Sequence, residues 1–259
     1  MKRIYIFDLD NTLRASKFKA ILPQTVKLIK AIANNPDYIL GLATGRGPSK
    51  MHVLGELEQY FKYKILVNGA IILEDEKLLD ETPILTSDID FVISDAHQKG
   101  FSIGMVGYHE EALTNYDEHV EYAIGGFQKE MPVINNQYHH THKVYQLWVF
   151  NKDSKVLDDL VQTYRNFTPF HWHYGGIDLV YPSVSKDQAV KKIMLKHPEY
   201  QLIAVGDGHN DLEMIKMADI GILMENSRWF EEAKDNYDFK GPHVDNDQLY
   251  DFFVKHDLI

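Results

Sequence analysis

Acidic residues directly follow two short apolar segments of the kind that form β-strands. Asp8-Leu9-Asp10-Asn11-Thr12 comes after Lys2–Phe7, and Gly206-Asp207-Gly208-His209-Asn210-Asp211 comes after Leu202–Val205. On extended chain, side chains two residues apart point the same way, and open α/β sheets bind their ligands at the carboxyl ends of strands. Carboxylates there suit a hard cation that is shared with substrate phosphate. For either segment alone, a plain turn with solvated acids is the alternative interpretation. The presence of two such segments strengthens the case for a cation site.

A lysine and a threonine add groups that could bind an anion. Ser185-Lys186-Asp187-Gln188 has the spacing of a capping box, with Ser185 as the cap and Gln188 reaching back. Lys186 would then lie in a first helical turn, where free amide N–H groups and the helix dipole favour anions. Thr44-Gly45 offers a hydroxyl and an open amide after another apolar strand. Taken alone, Lys186 is better explained as an ordinary surface lysine, and Thr44-Gly45 is modest evidence for an anion site.

The elements that would position these residues alternate between strand and helix. Continuous apolar strands in this order predict a parallel sheet that is covered on both faces. Before residue 82 we predict strands at Lys2–Phe7, Tyr38–Ala43 and Lys64–Val67, a hairpin of Ala70–Leu73 and Lys77–Leu79, and helices at Pro23–Ala33 and Pro48–Tyr60. After Pro182 we predict helices from Lys186 and from Asp211, the second capped by Asn210, and strands at Leu202–Val205 and Ile220–Leu223.

The pattern changes between these two parts of the chain. We predict helices at Ile89–Gln98, Glu118–Lys129 and Asp153–Arg165, and strands at Phe101–Val106, Val144–Phe150, Phe167–Trp172 and Ile177–Tyr181. The simplest organisation is an α/β core with a Rossmann-like parallel sheet, formed by residues 1–82 and 181–259. A discontinuous α+β domain of residues 83–180 would interrupt it.

Composition limits the classes of function. The 259 residues carry 27 Lys and Arg against 38 Asp and Glu, a net charge of −11, which disfavours nucleic acid as a partner. The absence of cysteine excludes disulfides and thiolate chemistry. Asp8 and Asp10 end the first apolar run too early for a signal peptide, and no segment approaches the roughly 20 apolar residues of a membrane span. We expect a soluble, cytoplasmic protein without a membrane partner.

Three other motifs are weaker. Gly100-Phe101-Ser102-Ile103-Gly104 matches the esterase nucleophile elbow, but that motif needs a strand, a sharp turn and a helix. The two glycine-rich signatures of nucleotide-binding loops are absent. His139-His140-x-His142 and His171-x-His173 could hold a transition metal, but no cysteine or correctly spaced acid completes either set, so ordinary loop or strand histidines are the favoured interpretation.

The four segments that carry these candidate site residues, in this order, resemble the motifs of the haloacid-dehalogenase-like hydrolases. Asp8–Leu13 is similar to the family's first motif, Leu42–Arg46 to its second, Lys186 to its third and Gly206–Asp211 to its fourth. Val67–Ala70 and Ala218–Asn226 are similar to the Cof-type subgroup, and the insert has the position and length of that subgroup's C2-type cap domain. Asn11 stands where glycine is commoner, but Asn tolerates left-handed backbone.

The resemblance implies a Mg²⁺-dependent phosphatase with an aspartyl-phosphate intermediate. Asp8 would be the nucleophile, and Asp10 would protonate the leaving group and then activate water. The resemblance also implies metal ligation by Asp8, Asp10 (through its carbonyl), Asp207 and Asp211, the last either directly or by supporting the other ligands. Phosphate would be held by Thr44, Gly45, Lys186 and Asn210, with Arg46 and Asn68 near the substrate.

A small phosphorylated metabolite is the expected partner, with a sugar phosphate as the first substrate guess because this subgroup often acts on them. A phosphosugar mutase of the same superfamily is the closest alternative, and a non-catalytic binding or regulatory module is a more distant one. The protein would be a monomer or a homodimer.

Overall fold

A computed structural model describes residues 1–126, 131–234 and 236–259 of the chain. Two compact units divide it: residues 1–46, 50–81 and 185–259 form the first unit, and residues 47–49 and 82–184 form the second. The assignment of residues 83–180 to a substrate-specificity cap stays a prediction. Within the described ranges, no helix combines the length and the apolar character that crossing a bilayer requires.

The N-terminal part of the first unit alternates strand and helix as predicted. Pro23 occupies the first turn of its helix, where the missing N–H costs nothing, and Leu28, Ile29 and Ile32 form the buried face. The elements are β1 (Arg3–Phe7), β2 (Arg14–Ala15), β3 (Ala20–Ile21), α1 (Pro23–Ala33), β4 (Tyr38–Ala43), β5 (Tyr63–Leu66), β6 (Ile71–Glu74) and β7 (Lys77–Glu81).

The second unit is an antiparallel-rich sheet with helices. Its elements are α2 (Thr86–Gln98), β8 (Ser102–Gly107), β9 (Glu111–Leu113), α3 (Glu118–Ile124), β10 (Val133–Ile134), β11 (Val144–Phe150), α4 (Ser154–Val161), β12 (Thr168–His173) and β13 (Gly176–Val180). The described strands follow the order β10-β9-β8-β11-β13-β12, and α2 packs on β8. Ile89, Val92 and Ala96 of α2 lie in the core of this unit with Met105 and Leu147.

The chain then completes the first unit with α5 (Lys186–Met194), β14 (Gln201–Gly206), α6 (Leu212–Met217), β15 (Ile220–Met224), α7 (Phe230–Ala233), β16 (Phe239–Gly241) and α8 (Leu249–Lys255). Its described strands form an eight-stranded sheet in the order β16-β15-β14-β1-β4-β5-β6-β7. Neighbouring strands are parallel from β16 to β5, and the β6–β7 hairpin adds two antiparallel strands at one edge. The carboxyl ends of β1 and β14 therefore lie side by side, because Phe7 is in register with Val205.

The predicted helix over Pro48–Tyr60 is wrong. This segment consists of 3₁₀ turns that break at Gly55, whose φ is 53° and ψ −134°. Only Met51 and Leu54 are buried along it, so the segment lacks the apolar stripe that would stabilise a regular helix by packing.

Other predictions differ from the structure at their boundaries. The helix predicted for Asp153–Arg165 ends at Val161, and the one predicted for Glu118–Lys129 ends at Ile124, before Gly125-Gly126. Lys129 lies outside the described residues. Ser102 of the esterase-like segment lies within β8 and donates to the Asp117 carboxylate, so it is not at a nucleophile elbow.

Candidate active site

A buried lysine joins two buried carboxylates at the carboxyl ends of β1 and β14. Lys186 Nζ donates to Asp8 Oδ1 at 2.7 Å and to Asp211 Oδ1 at 2.6 Å. The residues are 1 % (Lys186), 7 % (Asp8) and 0 % (Asp211) exposed. Buried charges need compensation of this kind, because an unpaired one would cost several kcal/mol. The cluster therefore keeps its members together in one fixed arrangement.

Helix α5 places Lys186 as predicted. The side chain of Ser185 accepts from Gln188 N at 3.4 Å, which caps the helix and puts Lys186 in the first turn. The second half of the predicted capping box is wrong, since the Gln188 side chain donates to Asp187 Oδ2 at 3.4 Å instead.

Asp207 brings a third carboxylate to the cluster. Ligand oxygens of Asp8, Asp207 and Asp211 all lie within 4.8 Å of one another, close enough to surround a single cation. Asp207 is oriented by Thr12 Oγ1, 3.4 Å from its Oδ1, and by Asn226 Nδ2, 3.3 Å from its Oδ2. An all-oxygen set of this kind matches the preference of Mg²⁺, which is bound by a few carboxylates together with substrate phosphate.

Asp211 has both carboxylate oxygens in use. Besides the contact of Oδ1 with Lys186, its Oδ2 accepts from the backbone N–H groups of Asp207 at 3.1 Å and Gly208 at 2.8 Å. The predicted capping role of Asn210 is wrong, because α6 begins at Leu212 with Asp211 as its N-cap residue and has no side-chain cap. A Cβ on Gly206 would lie 2.5 Å from the Asp211 carboxyl, so glycine is what allows the carboxylate to fold back.

Burial and like charge raise the pKa values of two of these acids. Burial raises the pKa of Asp8 to about 7, with Lys186 opposing the shift and Asp211 adding to it. Burial, together with the Asp8 and Asp211 carboxylates, raises the pKa of Asp207 to about 8. Burial alone would lower the pKa of Lys186, but the adjacent carboxylates of Asp211 and Asp8 outweigh it and raise that pKa. A cation among these acids would relieve the repulsion between them.

Asp10 is held by arginines rather than by the lysine. Arg46 Nε lies 2.5 Å from Asp10 Oδ2, and Arg46 Nη2 lies 2.9 Å from Oδ1, a bidentate contact. Arg14 Nη1 adds a third contact with Oδ1 at 3.2 Å. Asn11 beside it has a φ of 61°, the left-handed backbone that its residue type tolerates. Asp10 therefore lies apart from the Lys186 contacts, although its charge adds to the raised pKa of Asp8.

The remaining predicted residues form a network at the ends of β4 and β5. Asn68 N donates to Thr44 O at 3.0 Å, and Asn210 Nδ2 donates to Asn68 Oδ1 at 2.7 Å. The hydroxyl of Thr44 accepts from Arg46 N at 3.1 Å. A Cβ on Gly45 would approach Asn68 Oδ1 to 3.3 Å, so Gly45 lies beside this network. The turn that carries Asn68 has left-handed backbone there, with φ 56°.

Sequence reasoning gave no role to three residues that orient the site. Arg14 contacts Asp10, and Thr12 and Asn226 contact Asp207. Asn226 also donates to Asn11 O at 2.9 Å and accepts from Val244 N at 2.9 Å. Thr12 and Asn226 both lie within the segments that carry the family resemblance, which was the one available signal.

Comparison with known proteins identifies the family. The model of the haloacid dehalogenase-like hydrolases matches residues 5–253. The chain therefore belongs to this family, and the predicted family, α/β fold class and enzyme class, a phosphatase of the Cof type, are confirmed.

Relatives of similar sequence carry phosphatase names. A Streptococcus pyogenes serotype M6 protein, named as a bifunctional phosphatase/peptidyl-prolyl cis-trans isomerase, is 28 % identical over 86 % of this chain and 47 % of its own length. This chain thus spans about half of that relative. The Bacillus subtilis (strain 168) protein YkrA, named as a phosphatase, is 24 % identical over 95 % of both chains.

Solved structures share the fold. BT1666 from Bacteroides thetaiotaomicron, described among the phosphatases of the haloalkanoate (HAD) enzyme superfamily, superposes with a TM-score of 0.88 at 21 % identity over 100 % of this chain and 96 % of its own. The subclass IIB sugar phosphatase BT4131 superposes with a TM-score of 0.87 at 20 % identity over 100 % of both chains. At this level of identity, the likeness describes the architecture alone.

Proposed function

We propose that the protein hydrolyses a small phosphomonoester with Mg²⁺, through an aspartyl-phosphate on Asp8. The observation that carries this proposal is the convergence of the Asp8, Asp207 and Asp211 carboxylates within 4.8 Å of one another around the buried Lys186. Phosphoryl transfer depends mainly on positioning and on neutralising charge, and a lysine beside a cation-binding carboxylate set supplies both in a chain with a net charge of −11.

Asp8 is the nucleophile in this proposal. One of its carboxylate oxygens forms a bond to phosphorus, and the bond between phosphorus and the ester oxygen breaks. Water then attacks the phosphorus of the aspartyl-phosphate, which releases inorganic phosphate and restores the carboxylate. Lys186 supports this role because its ammonium, 2.7 Å from Asp8 Oδ1, holds the carboxylate in place and offers positive charge to the incoming phosphoryl group.

Mg²⁺ would be held by Asp8, Asp207 and the Asp10 carbonyl, and when bound it would neutralise charge on the phosphoryl oxygens. The contacts of Asp211 favour a supporting role for it. Because both its oxygens already bind Lys186 and the amides of the Asp207 turn, Asp211 would fix the lysine and the turn rather than donate a free oxygen.

Asp10 is the proposed general acid and base. It would give a proton to the leaving alkoxide and then accept one from the attacking water. For this transfer, Asp10 must exchange its contacts with Arg46 and Arg14 for contacts with the substrate. Arg46 suits such an exchange, since a guanidinium fork binds phosphate as well as carboxylate. We therefore place Arg46 near the substrate.

Thr44, Gly45 and Asn210 are proposed to hold the phosphate with Lys186. Asn68 supports this role for Asn210, because its Oδ1 accepts from the Asn210 amide and so fixes that side chain. These neutral donors would share the phosphoryl charge without adding net positive charge.

A sugar phosphate is the proposed substrate class, and the second unit is proposed to select it as a cap. BT4131, which has the same architecture, is a sugar phosphatase, and this supports the choice by analogy of fold. A phosphosugar mutase is the second candidate, because it would keep Asp8 and Asp10. It differs in outcome, since a mutase returns the phosphate to a sugar and a phosphatase releases it.

The test is phosphate release from a panel of sugar phosphates, nucleotides and cofactor phosphates, with Mg²⁺ or with EDTA. We expect release with Mg²⁺ only, and no release by Asp8→Asn. Lys186→Gln should lose most activity. Lys192→Gln, on the same helix at an exposed position, is its matched control and should retain activity. Full turnover in EDTA, or turnover by Asp8→Asn, would contradict the mechanism, and isomerisation without phosphate release would identify a mutase.

A further inference from the structure

The second unit contains a cluster of metal-ligand side chains that the proposed reaction does not use. Asp90 lies on α2, and His139 and His140 lie on the 3₁₀ turn Tyr138–His140. Ligand atoms of these three residues all lie within 4.8 Å of one another. The histidine pair was noticeable in the sequence, but the acid that completes the set stands 49 positions before His139 and comes from another element.

Both imidazoles converge on one carboxylate oxygen. His139 Nε2 lies 2.8 Å from Asp90 Oδ1, and His140 Nε2 lies 3.4 Å from the same atom. In a tetrahedral zinc site with bonds of roughly 2.0–2.1 Å, neighbouring ligand atoms are about 3.3 Å apart. The two distances fall on either side of that value. Small side-chain adjustments would therefore place all three atoms around one ion.

The chemistry of the three donors points to a late first-row ion rather than to Mg²⁺. Imidazole nitrogen suits Zn²⁺, Ni²⁺, Cu²⁺ and Co²⁺, whereas Mg²⁺ prefers oxygen ligands alone. The cluster thus differs in ion preference from the all-oxygen set of Asp8, Asp207 and Asp211.

The surroundings of the cluster combine a fixed ligand with open access. The side chain of His139 is 1 % exposed, so packing holds its ring, whereas those of His140 and Asp90 are 40 % and 52 % exposed. Nδ1 of His139 has no hydrogen-bond partner within the described chain, so Nε2 makes the one polar contact of this buried ring. An ion can enter from solvent on the exposed side, where water can complete its coordination.

We propose that Asp90, His139 and His140 bind Zn²⁺ or a similar late divalent ion, which joins α2 to the 3₁₀ turn within the second unit. The ion bridges two elements that are far apart in sequence, so its binding stabilises this unit against unfolding.

The test is Zn²⁺ binding by the untagged full chain in excess Mg²⁺, which occupies the carboxylate set of the first unit. Isothermal titration should detect one Zn²⁺ per wild-type chain. His140→Gln and Asp90→Asn should weaken this binding by at least tenfold, since even the loss of a residue that only supports a ligand typically costs about 10–100-fold. Both positions are exposed, so these variants should keep the fold, which circular dichroism checks.

His142→Gln is the matched control, because His142 lies next to the same turn, stacks on Tyr138 and belongs to no ligand set in the described chain. It should bind Zn²⁺ as the wild type does. Co²⁺ should give the visible spectrum of a four-coordinate site in the wild type and lose it in His140→Gln. Equal Zn²⁺ affinity in the wild type and His140→Gln, or Zn²⁺ binding that only Asp207→Asn removes, would overturn the proposal.

Discussion

Replacing Asp8, the proposed nucleophile, with Asn should make the metal-free protein more stable, by an amount that grows with pH. The Asp8 carboxyl has a pKa of about 7 in the folded protein against an ordinary value of 3.8. The folded state therefore binds more protons than the unfolded state between these values, so wild-type stability falls as pH rises through this window. Asn at this position does not titrate and keeps an oxygen that can accept from Lys186.

The magnitude follows from the width of that window. Each pKa unit corresponds to ~1.4 kcal/mol, so the wild type should lose about 3 kcal/mol relative to Asp8→Asn between pH 5 and pH 8. For a chain of this size, a change of 1 kcal/mol moves Tm by roughly 2–4 °C, so the gap in Tm should widen by about 6–12 °C. Loss of the Asp8 charge also removes one cause of the raised pKa of Asp207, which acts in the same direction.

The assay is calorimetric melting of both proteins in EDTA at pH 5, 6, 7 and 8. Asp187→Asn is the control of opposite sign. Burial acts to raise the Asp187 pKa, but contacts with Lys191 and Ser185 outweigh it and lower that pKa. The Asp187 carboxylate therefore stabilises the fold at every pH above its ordinary pKa. Asp187→Asn should lower the stability by the same amount at each pH from 5 to 8. A Tm gap between wild type and Asp8→Asn that stays flat over this range would refute the reasoning.

Two further results are expected. With an aryl phosphate and saturating Mg²⁺, Asp10→Asn should release a burst of about one phenol per active site and then continue slowly. The burst is expected because an acidic phenol leaves without being protonated, and the slow phase because the proposed base for water attack is missing. A steady rate without trapped phosphoenzyme would count against Asp10 as the base. Gly69→Ala should lower Tm by several degrees, because φ at Gly69 is 108° and the added Cβ would lie 2.4 Å from Ser185 O. An unchanged Tm would show that the turn adjusts freely.

The parts of the fold that the sequence predicted well are those with a strong local signal. The strands that precede Asp8 and Asp207 are continuous apolar runs with an acid at the end, and both are buried parallel strands in the structure. Lys186 was placed in a first helical turn by the Ser185 cap, which the structure confirms. Local spacing was sufficient in these cases because the candidate site residues lie at the ends of the predicted elements themselves.

The errors arise where distant contacts decide the outcome. The Pro48–Tyr60 segment has helix-forming residues but no apolar stripe, so tertiary packing does not support a regular helix there. The bidentate contact of Arg46 with Asp10 spans 36 positions, and the contact of Asp90 with His139 spans 49. Spacing along the chain does not encode such pairings, and only the fold brings these side chains together.

The β6–β7 hairpin also affects how the protein behaves in concentrated solution. It makes β7 an edge strand of the large sheet among the described strands, and the backbone N–H and C=O groups of an edge strand can template pairing with another chain. Leu78 and Leu79 are 48 % and 40 % exposed on this strand, which would favour such aggregation. The charges of Lys77, Asp80 and Glu81 and the irregular register between β6 and β7 oppose it. The two leucines are therefore exposed on the edge strand, but the charged residues on both sides of them interrupt the apolar surface on which a second copy of the chain would pair.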